Sequence, residues 1–471
     1  MSRGDQGTTV QRGRGRQVGG SVLRVVVLGA SAVLLAACTT GSNDGGGQAA
    51  RSGGANGATS GGSAGSSGAG STPTPTPTPT PTQDALAKAK VQAAQYDYDG
   101  ALKTLSADGS HEAKAQVAQV QAAKAKAVRW ADNTKIPHLF YHSLSVDPAK
   151  TFTGGSEGVG FSQYMATVDE FKAQIKQMHE RGFVLVHPQR IAKKGPDGVM
   201  HFQPIMLPPG KKPVVLSLDD LSYYEYMMGK GFANVLIKKD DGRVVNTYTD
   251  RSGKTVEGSY DCVPILDDFV REHPDFAYHG DKGSIAMTGY NGVLGYRTSE
   301  RKYGASPTTK DAQAKAKVVA DAIKANGWKF ASHSWGHINM TRSGLGQIKD
   351  DAGRWDREVR PILGDTDLMI YPFGADVSDA KPYSDANPKV AFLRGTEKFD
   401  YFFGVDGTSP SWVQLGPTTL RQARINVDGL SMQRALDGKR SAITQFFDTR
   451  STIDKKRPLP VPSIGGPTAG G

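Results

Sequence analysis

The sequence predicts an α/β fold, a parallel sheet covered by helices. Beyond residue 132, short apolar runs alternate with segments at helical spacing, the order that builds a parallel sheet with crossover helices. The residues richest in chemistry, Asp219-Asp220 and His333-Ser334-Trp335-Gly336-His337, each follow such a run. In parallel α/β architectures the C-terminal strand ends converge on one face, where sites gather.

Taken in order, residues 1–37 read as an export signal. Arg12, Arg14, Arg16 and Arg24 precede the apolar run from Val25 to Leu35. A bilayer span needs about 20 apolar residues, so this shorter run fits a signal core instead. It ends in Leu35-Ala36-Ala37-Cys38, which resembles a bacterial lipobox. Cys38 would then be the lipidated first residue of an exported protein anchored to the outer face of the cell membrane. An ordinary secreted protein with a chance cysteine is the alternative. Residues 38–83 read as the linker of that anchor. They are Gly/Ser/Ala-rich and close on a Thr-Pro repeat from Thr72 to Thr82, an extended spacer of about 3.1 Å per residue. Such composition cannot bury a core.

Residues 84–131 read as an α-helical hairpin. Leu86, Val91, Ala94, Tyr98, Leu102 and Leu105 keep helical spacing, as do Ala113, Val117, Val120, Ala123 and Ala127 after Asp108-Gly109-Ser110. The thin, Ala-heavy stripe predicts packing on the main domain or a partner, with a bare stalk as the alternative.

Residues 132–450 form the main domain. Val214-Val215-Leu216-Ser217-Leu218 reads as a buried strand that ends in the two aspartates. Phe171 to Arg181 reads as a helix leading to a short strand, Gly182 to Val186. Val263 to His273 predicts a helix starting at its proline, and Asp311 to Asn326 one stopped by Gly327. Trp328 to Ala331 is strand-like and Trp355 to Leu363 a shorter helix. Leu368 to Tyr371, Tyr401 to Val405 and Leu420 to Val427 complete the strands. Residues 451–471, Pro/Gly-rich from Lys455, read as a disordered tail.

The formal charge is +11. Cleavage before Cys38 removes five arginines and one aspartate, leaving about +7, enough to favour anionic wall polymers or headgroups. No basic patch interleaves with aromatics, so no nucleic-acid partner is expected. Cys38 and Cys262 are the only cysteines. With Cys38 acylated no disulfide framework remains, and Cys262 reads as a small buried hydrophobe.

Adjacent strand residues point to opposite faces, so the chain must bend at Asp219-Asp220 for both carboxylates to enter one site. Histidines four apart on a helical turn would set both rings on one face, about 5–6 Å apart at Cβ. Together these groups suffice for one divalent metal and one general base. Either half alone is more often a turn, a cap or an unrelated pair; their order along the chain is what points to a site.

Ser217-Leu218-Asp219-Asp220 and His333-Ser334-Trp335-Gly336-His337 resemble two motifs of the polysaccharide deacetylases, the NodB-homology or carbohydrate esterase family 4 group: Thr-Phe-Asp-Asp and His-Ser/Thr-x-x-His. Ile370-Tyr371-Pro372-Phe373-Gly374 is similar to the family's Arg-Pro-Pro-Tyr-Gly segment. Ile136-Pro137-His138-Leu139-Phe140-Tyr141-His142 is similar to its Pro-x-Leu-x-Tyr-His strand. The resemblance covers roughly residues 135–430. It implies a distorted (β/α) barrel, often seven-stranded, and removal of N-acetyl groups from cell-envelope or extracellular polysaccharide such as peptidoglycan. It implies Asp220, His333 and His337 as ligands of one divalent ion, Zn2+ first, with Co2+, Ni2+ or Fe2+ open because ligand type alone does not settle the metal. Asp219 would be the base toward a metal-activated water. The backbone N–H of Phe373 would be an oxyanion donor, a role worth about 3–4 kcal/mol.

The chain also departs from the pattern. Ile370 stands where the family carries arginine, and the strand near Leu420 to Asp428 lacks the late histidine that protonates the leaving amine. Arg424 or Arg421 near Asp219, and His142 as acid, are the candidate substitutes. Arg424 could equally be an ordinary ion-paired strand residue, and a histidine placed like His142 is more often a hydrogen-bonded structural one at a strand end. Gly289 to Arg297, with Tyr290, suits a loop stacking on sugars or a plain Gly-rich loop. Trp335, Tyr371 and Trp412 are candidate substrate walls, Trp335 with a core role as the alternative. No phosphate loop and no Gly-x-Ser-x-Gly elbow occurs. Two other functions remain open on the same residues: a glycan-binding module of weak or absent turnover, and a metal-dependent peptidoglycan amidase.

Overall fold

The computed structural model describes residues 81–462 apart from 380, 408 and 410. The export signal, Cys38, most of the linker and residues 463–471 lie outside the described residues.

Ten strands form the main sheet: β1 (His138–Tyr141), β2 (Phe183–Leu185), β3 (Lys212–Asp219), β4 (Ser284–Met287), β5 (Lys329–Ser332), β6 (Leu368–Ile370), β7 (Tyr401–Gly404), β8 (Val413–Leu415), β9 (Leu420–Ala423) and β10 (Ile425–Asn426). Their order is β8-β9-β7-β6-β5-β4-β3-β1-β10, with β2 paired to the start of β3. Every pairing is parallel except β8 with β9.

Arg424 alone separates β9 from β10. One extended stretch therefore pairs with β7 through its first half and with β1 through its second. The sheet must curl until its two ends meet there. The result is a barrel-like α/β fold and not a regular eight-stranded (β/α) barrel. Strands β1, β4, β6, β7 and β9 are buried throughout, as parallel strands covered on both faces must be.

A buried polar column crosses the interior. His138 bonds Ser217 Oγ at 2.9 Å and Gln422 Oε1 at 3.2 Å, and Gln422 donates to the Ile136 carbonyl at 2.7 Å. Buried polar groups need such partners.

Several helices start earlier than the sequence predicts. Pro307–Ala325 begins at a Ser306 cap with proline in its first turn. Leu345–Glu358 begins ten residues before Trp355, and Arg360–Leu363 is a separate turn. Strand β4 was not expected. Neither was the antiparallel sheet of Val235–Lys238, Val244–Thr249 and Thr255–Gly258.

The expected two-helix hairpin is three helices: α1 (Pro81–Ala94), α2 (Tyr98–Leu105) and α3 (His111–Lys126). The first arm breaks at Tyr96, whose φ is +65°, and restarts where the Asp97 side chain accepts from the Gly100 N–H. Ala89, Tyr98, Ala101 and Leu105 share a core with Val184, Val186 and Leu207. The Tyr96 hydroxyl donates to the Asp275 carbonyl at 2.7 Å. This segment is packed on the main domain, not a bare stalk.

The tail also differs from expectation, since residues 451–462 are folded. Arg457 is buried and pairs with buried Glu170, and the Gln163 amide donates to the Pro462 carbonyl at 2.7 Å. Proline and glycine content masked the one arginine that anchors the segment. Among the described residues no helix is long and apolar enough to cross a membrane.

Candidate metal centre

Asp219 is the last residue of β3 and Asp220 the first beyond it. The expected bend is present: Asp220 has φ +62°, a left-handed conformation that costs a non-glycine residue energy but is tolerated best by Asp and Asn. Asp220 N–H donates to the Ala286 carbonyl at 3.2 Å, and its own carbonyl accepts from Ser222 N–H at 2.7 Å. Those bonds hold the turn.

The two histidines do not lie on a helix. They sit on an irregular loop after β5 in which Ser334 has φ +58° and His337 φ +52°. Asp351 shapes the loop by accepting from the Trp335 and Gly336 N–H groups, both at 2.7 Å. Ser334 Oγ accepts from the Ile338 N–H at 3.0 Å. The rings still face one another, centroids 5.0 Å apart. Strain gathered at several adjacent turns is typical of functional sites.

One donor atom from each of Asp220, His333 and His337 lies within 4.8 Å of the other two. His337 Nε2 stands 3.5 Å from Asp220 Oδ2. Around an ion with bonds near 2.1 Å, tetrahedral ligands are roughly 3.4 Å apart, so two imidazoles and one carboxylate fit a divalent cation. His333 Nδ1 lies 2.7 Å from the Ile370 carbonyl. A carbonyl can only accept, so Nδ1 carries the proton and Nε2 is left as the ligand nitrogen. Burial is the largest influence on His333 and lowers its pKa, favouring the neutral ring a metal requires.

Asp219 has a different neighbourhood. Arg424 Nη1 donates to its Oδ1 at 2.7 Å and to Ser217 Oγ at 3.2 Å. Burial would raise the Asp219 pKa, but the Arg424 charge, His333 and the Arg424 hydrogen bond outweigh it and bring it to about 2. Burial also raises Asp220, whose pKa is lowered overall by His337 and His333. Arg424 thus reaches Asp219 from the stretch that closes the sheet.

The remaining candidates divide. His142 follows β1, its Nδ1 buried without a hydrogen-bond partner among the described residues, and its charge would lower both Asp219 and Asp220. Phe373 has φ +59°, is exposed, and sets its ring 4.4 Å from His337. Tyr290 is half-buried, 5.2 Å from the Tyr224 ring. Trp412 donates from Nε1 to Asp406 at 3.0 Å and carries Arg421 over its face.

Four candidates lie away from the roles considered for them. Tyr371 is fully buried, its hydroxyl 2.5 Å from that of Tyr383, so it packs rather than meeting substrate. Trp335 turns to the outer helices: its Nε1 donates to Glu358 at 2.8 Å, and Arg301 and Arg354 lie over its ring. It belongs to the core. Gly289 explains why, because a Cβ there would meet the indole at 2.3 Å. The Gly289–Arg297 loop is scaffold too, since Arg297 donates to the Tyr223 carbonyl at 2.7 Å and to the Asn291 carbonyl at 3.2 Å. Arg421, the other arginine considered for Asp219, instead pairs with Asp376 at 2.9 Å.

Sequence reasoning missed Asp351, Tyr224 and Thr288. Asp351 lies well outside the motif it supports. Tyr224, four residues past Asp220, is a single tyrosine among several and offered no periodic signal.

No family model and no curated protein sequence matches the chain. Among solved structures it is similar to a Streptococcus pyogenes deacetylase, PplD, in complex with acetate. That likeness covers 64% of this chain and 93% of that chain, at 16% identity and a TM-score of 0.31. So loose a likeness leaves the reading of the site to its own residues.

Proposed function

We propose that this chain is a metal-dependent hydrolase that removes N-acetyl groups from an envelope or extracellular polysaccharide built of N-acetylglucosamine-type units. The observation that carries the proposal is the convergence of Asp220, His333 and His337 beside an ionised Asp219 that they do not consume. The motif resemblance supplies the substrate class. Export and anchoring through Cys38 belong to the same proposal and would place the enzyme where such glycans occur.

When bound, a zinc-like ion supplies Lewis acidity to the amide carbonyl and acidifies water. The chain's own residues do the rest. Asp219 takes the proton of the attacking water, held in place by Arg424. The carbonyl of Ile370 keeps His333 in the required tautomer. The N–H of Phe373, on its strained turn, donates to the developing oxyanion. His142 returns a proton to the leaving amine, a role that suits its place beside both aspartates.

Arg424 fills the position left by Ile370: it neutralises the base from a different strand. Arg424→Met is therefore expected to lower kcat/KM for acetate release about 100-fold, the scale of a misplaced catalytic group. The sign of its pH effect follows from burial. With Arg424 present, Asp219 is ionised at every pH above about 4, and that contribution is lost only as pH falls through about 2. Without Arg424, burial is opposed only by the histidines, the Asp219 pKa rises, and the acid limb of the pH profile moves upward. An unchanged limb would show that Asp219 is not the base.

The activity itself is tested by acetate release from chitooligosaccharides or peptidoglycan. Release should vanish on chelation and return with zinc. Mass spectrometry of digested wall separates lost acetyl groups from cut stem peptides. Glycan binding without any release would instead support an inactive binding module.

A further inference from the structure

We infer that Tyr224 and Thr288 form a holder that fixes Asp220 as a single-oxygen metal ligand, an inference that rests on the metal-site reading above. Asp220 sits on a turn with φ +62°, so the regular strand no longer aims its side chain. The Tyr224 hydroxyl donates to Asp220 Oδ1. It also lies 2.7 Å from Thr288 Oγ1, which in turn lies 3.3 Å from Ser222 Oγ. A hydroxyl has one proton to give. With the tyrosine proton committed to an ionised carboxylate, Thr288 must donate to the tyrosine oxygen and accept from Ser222, so the chain of bonds has one direction.

Engaging Oδ1 leaves Oδ2 toward the histidines, and Oδ2 is the oxygen 3.5 Å from His337 Nε2. One oxygen from Asp220 keeps the protein donors at three and a coordination position open. The Tyr224 ring is held between Tyr226 at 5.3 Å and Tyr290 at 5.2 Å, both near parallel. Thr288 follows β4 directly, and the Met287 carbonyl beside it accepts the His333 N–H at 3.1 Å. The end of β4 therefore positions two ligands at once, one through its backbone and one through Thr288 and Tyr224. Tyr224 is a positioning residue; it reaches substrate only through Asp220.

The test uses the metal alone, on the folded chain. Zinc affinity is measured by competition with a chromophoric chelator, and the visible absorption of the cobalt-loaded protein reports coordination. Tyr224→Phe keeps the stacked ring and is expected to weaken zinc about 10–100-fold, the usual effect of losing an outer partner of a ligand. The cobalt band should also shift as Oδ1 is freed to swing in. Thr288→Val should act in the same direction, with Thr288→Ser restoring affinity, and these two carry the test if Tyr224→Phe does not fold. Zinc affinity and cobalt spectrum both unchanged in Tyr224→Phe would overturn the inference while leaving the metal site standing. Failure of the parent protein to bind either ion would overturn the site reading and the inference together.

Discussion

Asp220→Asn is expected to abolish zinc binding and acetate release together while the protein stays folded. Asparagine is the informative replacement, because it too tolerates the left-handed backbone that Asp220 adopts at φ +62°. It keeps one oxygen to accept the Tyr224 hydroxyl proton and replaces the metal-facing oxygen with an NH2, so the charge and the ligand atom go together. What disappears is the one anionic donor among three. The loss of zinc affinity should exceed the roughly 10–100-fold effect of outer-partner changes, at about 1,000-fold or more. A second readout needs no substrate. A ligand bound only by the native state stabilises it by about 4.1 kcal/mol at a thousand times its dissociation constant. Zinc should therefore raise the melting temperature of the parent protein and leave that of Asp220→Asn unmoved. Equal zinc-induced shifts in both proteins would place the ion elsewhere.

How far the sequence spoke depended on whether the signal was local. The strand that ends in Asp219 is eight residues long and buried over its last seven, so strand, bend and both carboxylates were legible together. The histidine pair was legible as chemistry but misread as conformation. Spacing of four suggests a helical turn, whereas positive φ at Ser334 and His337 brings the rings together without one. Nothing local could reveal Asp351, whose carboxylate holds that loop from a helix beyond it. Strand β4 escaped because Ser-Ile-Ala-Met offers four residues with one β-branched side chain. Its strand state comes from pairing on both sides, with β3 and β5. That Ile370 stands where the resembled motif carries arginine was visible in sequence, and so was a candidate to take that role. That Arg424 reaches Asp219 follows from sheet closure, a non-local fact. The tail was misjudged for a related reason: composition averages over residues, and one buried arginine outweighs several prolines.

That arginine sets the second large effect. Arg457→Met is expected to destabilise the domain by about 3–5 kcal/mol, the cost of leaving a buried charge without its partner. Glu170 and Arg457 are both fully buried. Arg457 Nε donates to Glu170 Oε1 at 2.7 Å and Nη2 to Oε2 at 2.6 Å, a two-pronged contact. The rest of the guanidinium is satisfied by the Ser162 and Met165 carbonyls, each at 2.7 Å. Lysine cannot reproduce that fork, so Arg457→Lys should recover little. Glu170 is also committed locally: it accepts from the Thr167 N–H while Thr167 caps the helix Val168–Glu180. Losing Arg457 thus exposes a helix start to an unpaired charge and frees the chain from Asp454 onward. The pair tolerates no side chain at Gly429, where a Cβ would meet the Ser162 carbonyl at 2.0 Å and the guanidinium at 2.9 Å. Urea unfolding measures the change, and Glu170→Gln combined with Arg457→Met should cost less than the two single losses summed, because neither charge is then stranded. A chain ending at Ile453 with an unchanged unfolding midpoint would show that the segment merely rests on the surface.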